Sequence, residues 1–369
     1  MKKIIFTAAM MLASAAAMAQ SGTFQIKGNV EGLPDSLVAM IGRKTENIEV
    51  KKKKFVYSKN FDKPQWVYLC DQKVIKSGAF SAIPVFAIPS ETIEMKGNFT
   101  GGVDIKGGKF YQEQDLMNEY KGQAYKDIKA LWKWYSDNVN DSNRDSIEKV
   151  VDERMEPLQK KYAADLLAYA KQHSDQECIA LLIDDLDDVK DKETLISLMA
   201  DNVKNGRMKA YYEPIVERAK KQAEMEEKAK VVQASGVEAP DFTLNDINGK
   251  PFSLSSLRGK YVVIDFWGSW CIWCIKGMPK MKEYYEKYKG KFEILGVDCN
   301  DTEAKWKAAV EKHQLPWIHV YNPKGSDVLD KYAVQGFPTK IVIGPDGKIV
   351  KTIVGEDPAF YTLLDEVLK

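Results

Sequence analysis

The feature that most constrains this chain is a pair of cysteines where a buried strand meets a helix. The run Tyr261–Trp267 is β-branched and aromatic, with Asp265 as its one charged residue, which is typical of a buried strand. Cys271 and Cys274 follow at C-x-x-C spacing, and apolar residues recur at helical spacing from residue 274 to residue 289. The pattern therefore predicts a dithiol at the N-terminal end of a helix.

A dithiol in this position has a defined chemistry. The unpaired N–H groups and the positive dipole end of a helix favour thiolate over thiol. A thiolate opens a disulfide, and a second thiol nearby then closes a ring and releases the product. We therefore predict that Cys271, nearer the helix terminus and the surface, is the nucleophile, and that Cys274 is the resolving thiol.

A lone C-x-x-C pair also suits a metal site or a structural bridge. A zinc site would need two further ligands, and the chain has only three histidines, none of them paired at metal spacing. We expect no metal and no other cofactor.

Residues 1–19 have a different character from the rest of the chain. Lys2 and Lys3 precede an apolar stretch, and Ala17-Met18-Ala19 fits a cleavage site of small residues. The apolar stretch is shorter than the roughly 20 residues of a membrane-spanning helix. No cysteine follows the cleavage point to carry a lipid. We expect a cleaved signal peptide and an exported, periplasmic protein that is not a lipoprotein.

The charges give no reason to expect nucleic acid as a partner. The chain has 54 basic and 53 acidic residues, and loss of Lys2 and Lys3 with the leader would leave a net charge near −1. Export also matters for the dithiol, because in an oxidising compartment it becomes a disulfide unless a donor keeps it reduced.

Three segments follow the leader. Residues 22–110 alternate like short strands between Gly, Pro and Asn turns, which predicts a β-rich N-terminal domain. Residues 111–232 carry apolar side chains at helical spacing, which predicts an all-α middle region with breaks near 141–143, 173–175 and 205–206. Residues 237–369 alternate strands with helices, which predicts an α/β sheet of mixed direction.

The individual elements can be placed approximately. The expected strands of the first segment are 23–30, 37–41, 48–57, 65–69, 85–88 and 92–95. The expected strands of the last segment are 241–244, 251–254, 261–267, 292–297, 317–320, 340–343 and 348–353. Its expected helices are 274–289, 302–313 and 357–368.

The last segment resembles the thioredoxin superfamily, specifically its exported TlpA/ResA-like branch. The resemblance is carried by the opening Ala239-Pro240-Asp241-Phe242, by the strand and C-x-x-C pair, by Pro279, and by Gly336-Phe337-Pro338-Thr339, which is similar to the family's cis-proline loop. It covers about residues 237–369 and implies a thioredoxin-like α/β domain with a redox-active disulfide. Residues 22–110 also resemble, weakly, an uncharacterised domain that precedes such domains in exported bacterial proteins.

The resemblance implies roles for further residues. Asp265 matches the family's buried acid, and a carboxyl group in apolar surroundings has a raised pKa and can exchange a proton with Cys274. The alternative, that Asp265 is only a polar strand residue, stays open. The proline loop would present its backbone to an extended substrate beside the disulfide. The substrate-binding residues predicted in this way are Trp270, Ile272, Trp273, Phe337 and Pro338.

Some features depart from the family pattern or fall outside it. Gly277 stands where ResA-like proteins often carry a glutamate, two residues before the helix proline, and Ile272-Trp273 lacks the proline common between the cysteines. Three cysteines belong to no C-x-x-C pair. We expect Cys299 to be a small core residue, and for Cys70 and Cys178 a bridge is an alternative to free thiols.

We therefore predict an exported thiol:disulfide oxidoreductase, and the resemblance favours a reductase. A disulfide isomerase or oxidase, and a binding or assembly module with a non-essential dithiol, are the alternatives. A thiol peroxidase is disfavoured, because Phe266–Trp270 lacks the threonine and proline that bind peroxide before the reactive cysteine. We expect protein disulfides as substrates and a membrane thiol donor for re-reduction. A homodimer through the helical region is a further hypothesis.

Overall fold

The computed structural model describes residues 21–77, 81–120, 122–140 and 142–369. The predicted signal peptide, residues 1–19, lies outside the described residues. The chain divides into two compact units, the first ending at Ala219 and the second spanning Lys220–Lys369. Across the described ranges, no helix combines the length and the apolar character needed to cross a membrane.

The first unit begins with two β-sheets. Its strands are β1 (Gly22–Glu31), β2 (Leu37–Ile41), β3 (Lys44–Asn47), β4 (Val50–Lys51), β5 (Lys54–Phe61), β6 (Gln65–Asp71), β7 (Ala82–Ala87), β8 (Thr92–Asn98) and β9 (Gly102–Lys106), with a short helix α1 (Gln72–Lys76) after β6. One sheet has the order β4-β5-β1-β8-β9 and the other the order β3-β2-β6-β7. In β1, Phe24, Ile26 and Val30 are buried and the residues between them are more exposed, so one face of this strand packs inward.

Helices fill the rest of the first unit and continue into the start of the second. They are α2 (Lys109–Tyr120), α3 (Gln123–Asn138), α4 (Arg144–Gln172), a 3-10 helix (Glu177–Asp184), α5 (Val189–Leu198), α6 (Asp201–Lys204) and α7 (Lys209–Val232). The three predicted breaks are confirmed, since helices end at Asn138, Gln172 and Lys204.

One hydrophobic core joins the strands and helices of the first unit. Phe86 of β7 stacks on Phe110 of α2 with 5.5 Å between ring centroids, and the Tyr111 hydroxyl donates a hydrogen bond of 2.9 Å to the Phe86 carbonyl oxygen. The Trp66 indole N–H donates to the Tyr211 hydroxyl at 3.0 Å. Because these contacts bury apolar faces of both parts, the sheets and the helices stabilise one another. A domain boundary at residue 110 stays a prediction.

The second unit is an α/β domain. Its elements are β10 (Thr243–Asp246), β11 (Pro251–Ser253), β12 (Tyr261–Trp267), α8 (Ile272–Lys287), β13 (Phe292–Asp298), α9 (Glu303–His313), β14 (Ile318–Tyr321), α10 (Val328–Lys331), β15 (Thr339–Ile343), β16 (Ile349–Val354) and α11 (Ala359–Val367). The sheet has the order β11-β10-β14-β13-β12-β15-β16. β12, β13 and β14 run parallel, and β10, β15 and β16 pair antiparallel with their neighbours. The predicted mixed sheet is confirmed.

β12 lies inside this sheet and is buried on both faces. Val263 and Trp267 share a hydrophobic cluster with both C-x-x-C cysteines. Ile264 and Phe266 belong to the cluster on the opposite face. Because successive side chains of a strand alternate between faces, Asp265 lies on the same side as the dithiol. The carboxyl end of β12 leads directly into the loop that carries the first cysteine.

Candidate active site

Cys271 and Cys274 form a disulfide at the start of α8, with 5.3 Å between their Cα atoms. Cys271 is the N-cap residue, and its Sγ accepts a hydrogen bond of 3.2 Å from the Cys274 backbone N–H. The first N–H groups of a helix have no intrahelical partners, so this sulfur takes the place of a capping oxygen. A negative charge on Cys271 Sγ would be stabilised by the same N–H group and by the helix dipole.

The greater exposure expected for Cys271 is not pronounced, because both cysteines are buried. Cys271 is 5% exposed and Cys274 is 4% exposed. The physical reason is that Cys271 turns inward to cap α8, while its neighbours Trp270 and Ile272 take the exposed positions. What distinguishes the two sulfurs is therefore the helix cap and not exposure.

An apolar rim surrounds the buried disulfide. Trp270, Ile272 and Trp273 are 51%, 61% and 58% exposed, which is unusual for side chains of this size. The Trp270 ring meets the Phe337 ring edge-on with 5.4 Å between centroids. The Trp273 ring lies 4.3 Å from the ammonium group of Lys276. Four of the residues predicted to bind substrate thus lie around the cysteines with apolar surface open to solvent.

The loop before β15 supplies the other side of the site. The Phe337–Pro338 peptide bond is cis, as the resemblance implied. The Pro338 carbonyl oxygen accepts a hydrogen bond of 2.8 Å from the Gly355 N–H. Within the described part of the chain, neither the N–H nor the carbonyl group of Phe337 has a hydrogen-bond partner. An extended peptide laid along this loop would find both groups available.

The loop that carries Cys271 is held from the end of β13. The Ser269 backbone N–H and hydroxyl donate hydrogen bonds of 2.6 and 2.8 Å to the Asp301 carboxylate. The Trp270 indole N–H donates to the Cys299 carbonyl oxygen at 3.0 Å. No sequence pattern points to this support, because Asp301 follows β13 and is distant in sequence from the C-x-x-C pair.

Asp265 is buried beside the disulfide, on the α8 side of β12. The residue is 4% exposed, and its Oδ1 atom has no hydrogen-bond partner among the described residues. Burial raises the pKa of Asp265 to about 6; the nearby Lys340 ammonium opposes this rise in pKa and the Glu356 carboxylate adds to it. An acid with this pKa can both give and take a proton near neutral pH.

Two charged residues near Asp265 were not identified from the sequence. Lys340 is 1% exposed, and its Nζ donates a hydrogen bond of 2.8 Å to Oε2 of Glu356. The signal for Lys340 was present, since it precedes the apolar run Ile341-Val342-Ile343 and shares the strand face of Val342. Glu356 follows β16 and carries no pattern that would place it at the dithiol.

The remaining cysteines are free and buried: Cys70, Cys178 and Cys299. The alternative of a Cys70–Cys178 bridge is therefore wrong. The Cys70 thiol approaches the Tyr68 carbonyl oxygen at 3.6 Å, and the Cys178 thiol approaches Oε1 of Gln176 at 3.8 Å. Each thiol thus has its own local partner, and burial raises the pKa of Cys178 to about 12, which makes it unreactive as a nucleophile.

Comparison with known proteins places this site in a family. The profile described as the AhpC/TSA family matches residues 235–352. The thiol-disulfide oxidoreductase ResA of Bacillus cereus is 43% identical over 122 residues, which is 33% of this chain and 70% of that protein. The ResA of Bacillus subtilis is 36% identical over 123 residues, which is 33% of this chain and 68% of that protein.

A solved structure is also similar. The thioredoxin domain of a thiol-disulfide oxidoreductase from Bacteroides vulgatus is 35% identical and has a TM-score of 0.35, and the match covers 37% of this chain and 99% of that domain. The matches to the AhpC/TSA profile and to the two ResA proteins confirm the thioredoxin-like α/β domain that was predicted for the C-terminal third. The chain belongs to the family of ResA thiol-disulfide oxidoreductases.

Proposed function

We propose that this protein is an exported thiol:disulfide reductase that acts on protein disulfides through Cys271 and Cys274, with Asp265 as the proton acceptor. The observation that carries the proposal is the hydrogen bond of 3.2 Å from the Cys274 N–H to Sγ of Cys271 at the N-cap of α8. This hydrogen bond supports Cys271 as the nucleophile, because it would stabilise the thiolate needed for attack.

The proposed reaction starts from the reduced pair. The Cys271 thiolate forms a bond to one sulfur of the substrate disulfide, the substrate S–S bond breaks, and the second substrate sulfur leaves and takes a proton from water. Cys274 then transfers its proton to the Asp265 carboxylate and attacks Sγ of Cys271. The remaining substrate thiolate is expelled. Two electrons pass to the substrate, and the enzyme ends with the Cys271–Cys274 disulfide.

Asp265 suits the proton transfer because of its surroundings. Burial raises the pKa of Asp265 to about 6, so above that pH its carboxylate is ionised and can accept the Cys274 proton. The unpartnered Oδ1 atom leaves one lone-pair site open for that proton.

The rim around the disulfide suits an unfolded or extended protein segment. Trp270, Ile272 and Trp273 offer exposed apolar surface. The free backbone groups of Phe337 supply a strand-like pairing site next to that surface. We propose that the rim binds apolar side chains while the Phe337 backbone, held by Pro338, aligns the chain that carries the substrate disulfide.

Export and re-reduction complete the proposal. The pattern of residues 1–19 supports a cleaved signal peptide and a periplasmic location. An exported reductase needs an electron source outside the cytoplasm, and we propose a membrane thiol donor.

We also propose the four-part division of the chain and a homodimer through the helical region. Exposed Leu116 and Trp132 on α2 and α3 support the dimer, which sedimentation of the full chain would test.

The decisive experiment is the reduction potential of the Cys271–Cys274 pair. The purified protein is equilibrated in glutathione or dithiothreitol buffers, the thiols are alkylated, and the two forms are counted by mass. A potential below roughly −230 mV supports a reductase, and one between roughly −180 and −120 mV refutes that direction in favour of an oxidase or isomerase.

Insulin reduction by the full chain tests the nucleophile directly. Cys271→Ser is expected to remove all turnover, and Cys274→Ser to stop the reaction at a mixed disulfide that is visible on non-reducing gels. If Cys271→Ser retains the wild-type rate, the dithiol is not the reacting group and a binding or assembly module becomes the better hypothesis.

A further inference from the structure

We propose that Glu356 is a positioning residue for this site. It binds the buried Lys340 ammonium and so withholds that counter-ion from Asp265, which leaves Asp265 free to take up a proton. This inference rests on the proposed role of Asp265 as proton acceptor. Glu356 itself acts through Lys340 and touches neither sulfur nor substrate in the proposed reaction.

Asp265 and Lys340 are direct neighbours across two strands. They are paired residues in the antiparallel ladder of β12 and β15, and such pairs have Cβ atoms about 4.5–5.5 Å apart on one face of the sheet. Val342, two residues along β15, belongs to the same hydrophobic cluster as the two cysteines. The lysine therefore lies on the face of the sheet that carries the dithiol, next to the carboxyl group.

The buried Lys340 ammonium nevertheless bonds to Glu356 and not to Asp265. Lys340 is 1% exposed, and its Nζ donates a hydrogen bond of 2.8 Å to Oε2 of Glu356. Its ammonium also lies 5.5 Å from the ring centroid of Phe360. Oδ1 of Asp265 has no partner in the described ranges. A buried charge requires a partner, and here Glu356 meets that requirement in place of the adjacent Asp265.

Glu356 is held in this position from two sides. The Tyr361 hydroxyl donates a hydrogen bond of 2.9 Å to Oε1 of Glu356. On the other side lies Gly277 of α8, and a Cβ atom on this glycine would overlap the Glu356 carboxylate. Gly277 is three residues after Cys274 and lies on the same helix face. The missing side chain thus makes room for an acid from another part of the chain, about one helical turn after Cys274.

Four titratable groups interact electrostatically with Asp265. They are Lys340 of β15 and Glu356 after β16, which shift its pKa, and Tyr361 of α11 and Cys299 after β13, whose pKa values it raises. Only Lys340 is cationic, and Glu356 compensates its charge. Without the Glu356 charge, Asp265 would become the sole carboxylate partner of Lys340, and its pKa would fall. A weaker base would then take the Cys274 proton less readily.

The test measures the pKa of Asp265 directly in the full oxidised protein, from the pH dependence of its ¹³C carboxyl resonance, assigned with Asp265→Asn. Glu356→Gln is expected to lower this pKa by at least one unit, and Lys340→Met to raise it. Gly277→Ala leaves all charges in place but displaces the carboxylate, so it should also lower the pKa. Glu366→Gln, on the exposed face of α11, is the matched control and should change nothing.

The double variant Glu356→Gln/Lys340→Met separates this electrostatic role from a structural one. It removes both charges, so the pKa of Asp265 should return to within about half a unit of the wild-type value. It also tests the proposal if Glu356→Gln alone does not fold, because a buried charge without a partner is destabilising whereas a neutral pair is not. A pKa of Asp265 that stays the same in Glu356→Gln, or that the double variant does not restore, overturns the inference.

Turnover distinguishes failure of this inference from failure of the proposed function. In the wild-type protein, the rate of insulin reduction should fall as pH drops below about 6. In Glu356→Gln this acidic limb of the pH–rate profile should move to lower pH, and the plateau rate should fall severalfold. If the acidic limb does not shift in Glu356→Gln while turnover still depends on Cys271, only the role of Glu356 is refuted. Turnover that persists in Cys271→Ser would refute the proposed function. The ¹³C resonance measurement would still test whether Glu356 sets the pKa of Asp265.

Discussion

Burial of Asp265 makes a quantitative prediction for stability. Its pKa is about 6 in the folded protein against an ordinary value of 3.8, because the carboxylate is removed from water. Between these two pH values the folded state binds more protons than the unfolded state, so stability falls as pH rises through this window. The two-unit difference corresponds to a penalty of about 3 kcal/mol above the window, at 1.36 kcal/mol per unit.

Asparagine is nearly isosteric with aspartate and carries no charge, so Asp265→Asn removes the cost of burying a carboxylate. We expect it to stabilise the oxidised second unit by about 3 kcal/mol at pH 8 and by well under about 1 kcal/mol at pH 4, where the wild-type carboxyl group is largely protonated when folded. The sign is unusual, because most substitutions at buried sites destabilise. Such a cost in stability would fit the proposed role of Asp265 as proton acceptor for the dithiol.

The assay must report on the second unit alone. Urea unfolding of the full chain, followed by a short pulse of hydrogen exchange and mass analysis of the peptide that contains β12, meets this need. Glu366→Gln, an exposed carboxylate in the same unit, serves as the control and should show no pH-dependent difference. If the advantage of Asp265→Asn does not grow between pH 4 and pH 8, burial is not what raises the pKa of Asp265.

Two further predictions concern the rim and the thiols. Trp273→Ala should raise KM for insulin severalfold and leave kcat nearly unchanged, because it removes exposed apolar surface and the contact with the Lys276 ammonium group but no reacting atom; steady-state kinetics would decide. In the reduced native protein, iodoacetamide should label Cys271 rapidly and, without denaturant, leave the other buried thiols outside the C-x-x-C pair unlabelled, as mass mapping would show. Labelling of those thiols at a comparable rate would contradict their burial. They are Cys70, Cys178 and Cys299.

The elements fixed by local patterns could be predicted well. β12 occupies the predicted residues 261–267 because a short run of β-branched and aromatic side chains is stable as a buried strand. α8 starts at Ile272, two residues before the prediction, because the Cys271 side chain and not a polar residue caps it. The hairpin of β10 and β11 follows its Asn248-Gly249 turn, where Gly249 has a φ of 77°.

The elements that depend on distant partners could not be predicted. β3 contains only Lys44, Thr45, Glu46 and Asn47, and it is a strand because it pairs with β2 and not because of its own composition. The hydrogen bond between Lys340 and Glu356 joins the start of the first strand of a hairpin to the residues after its second strand, and no sequence periodicity links the two positions. In the sequence, Gly277 stands where ResA-like proteins often carry a glutamate. In the structure, the Glu356 carboxylate occupies the space of the missing Gly277 side chain.

That space has a consequence for how this family can change. A side chain at position 277 would displace the Glu356 carboxylate from its present place, because the two need the same volume. The two positions should therefore evolve together: relatives with a larger residue at the position of Gly277 should lack an acid at that of Glu356. A change at either position disturbs the partner of the buried Lys340, so we expect a compensating change at the other position to follow.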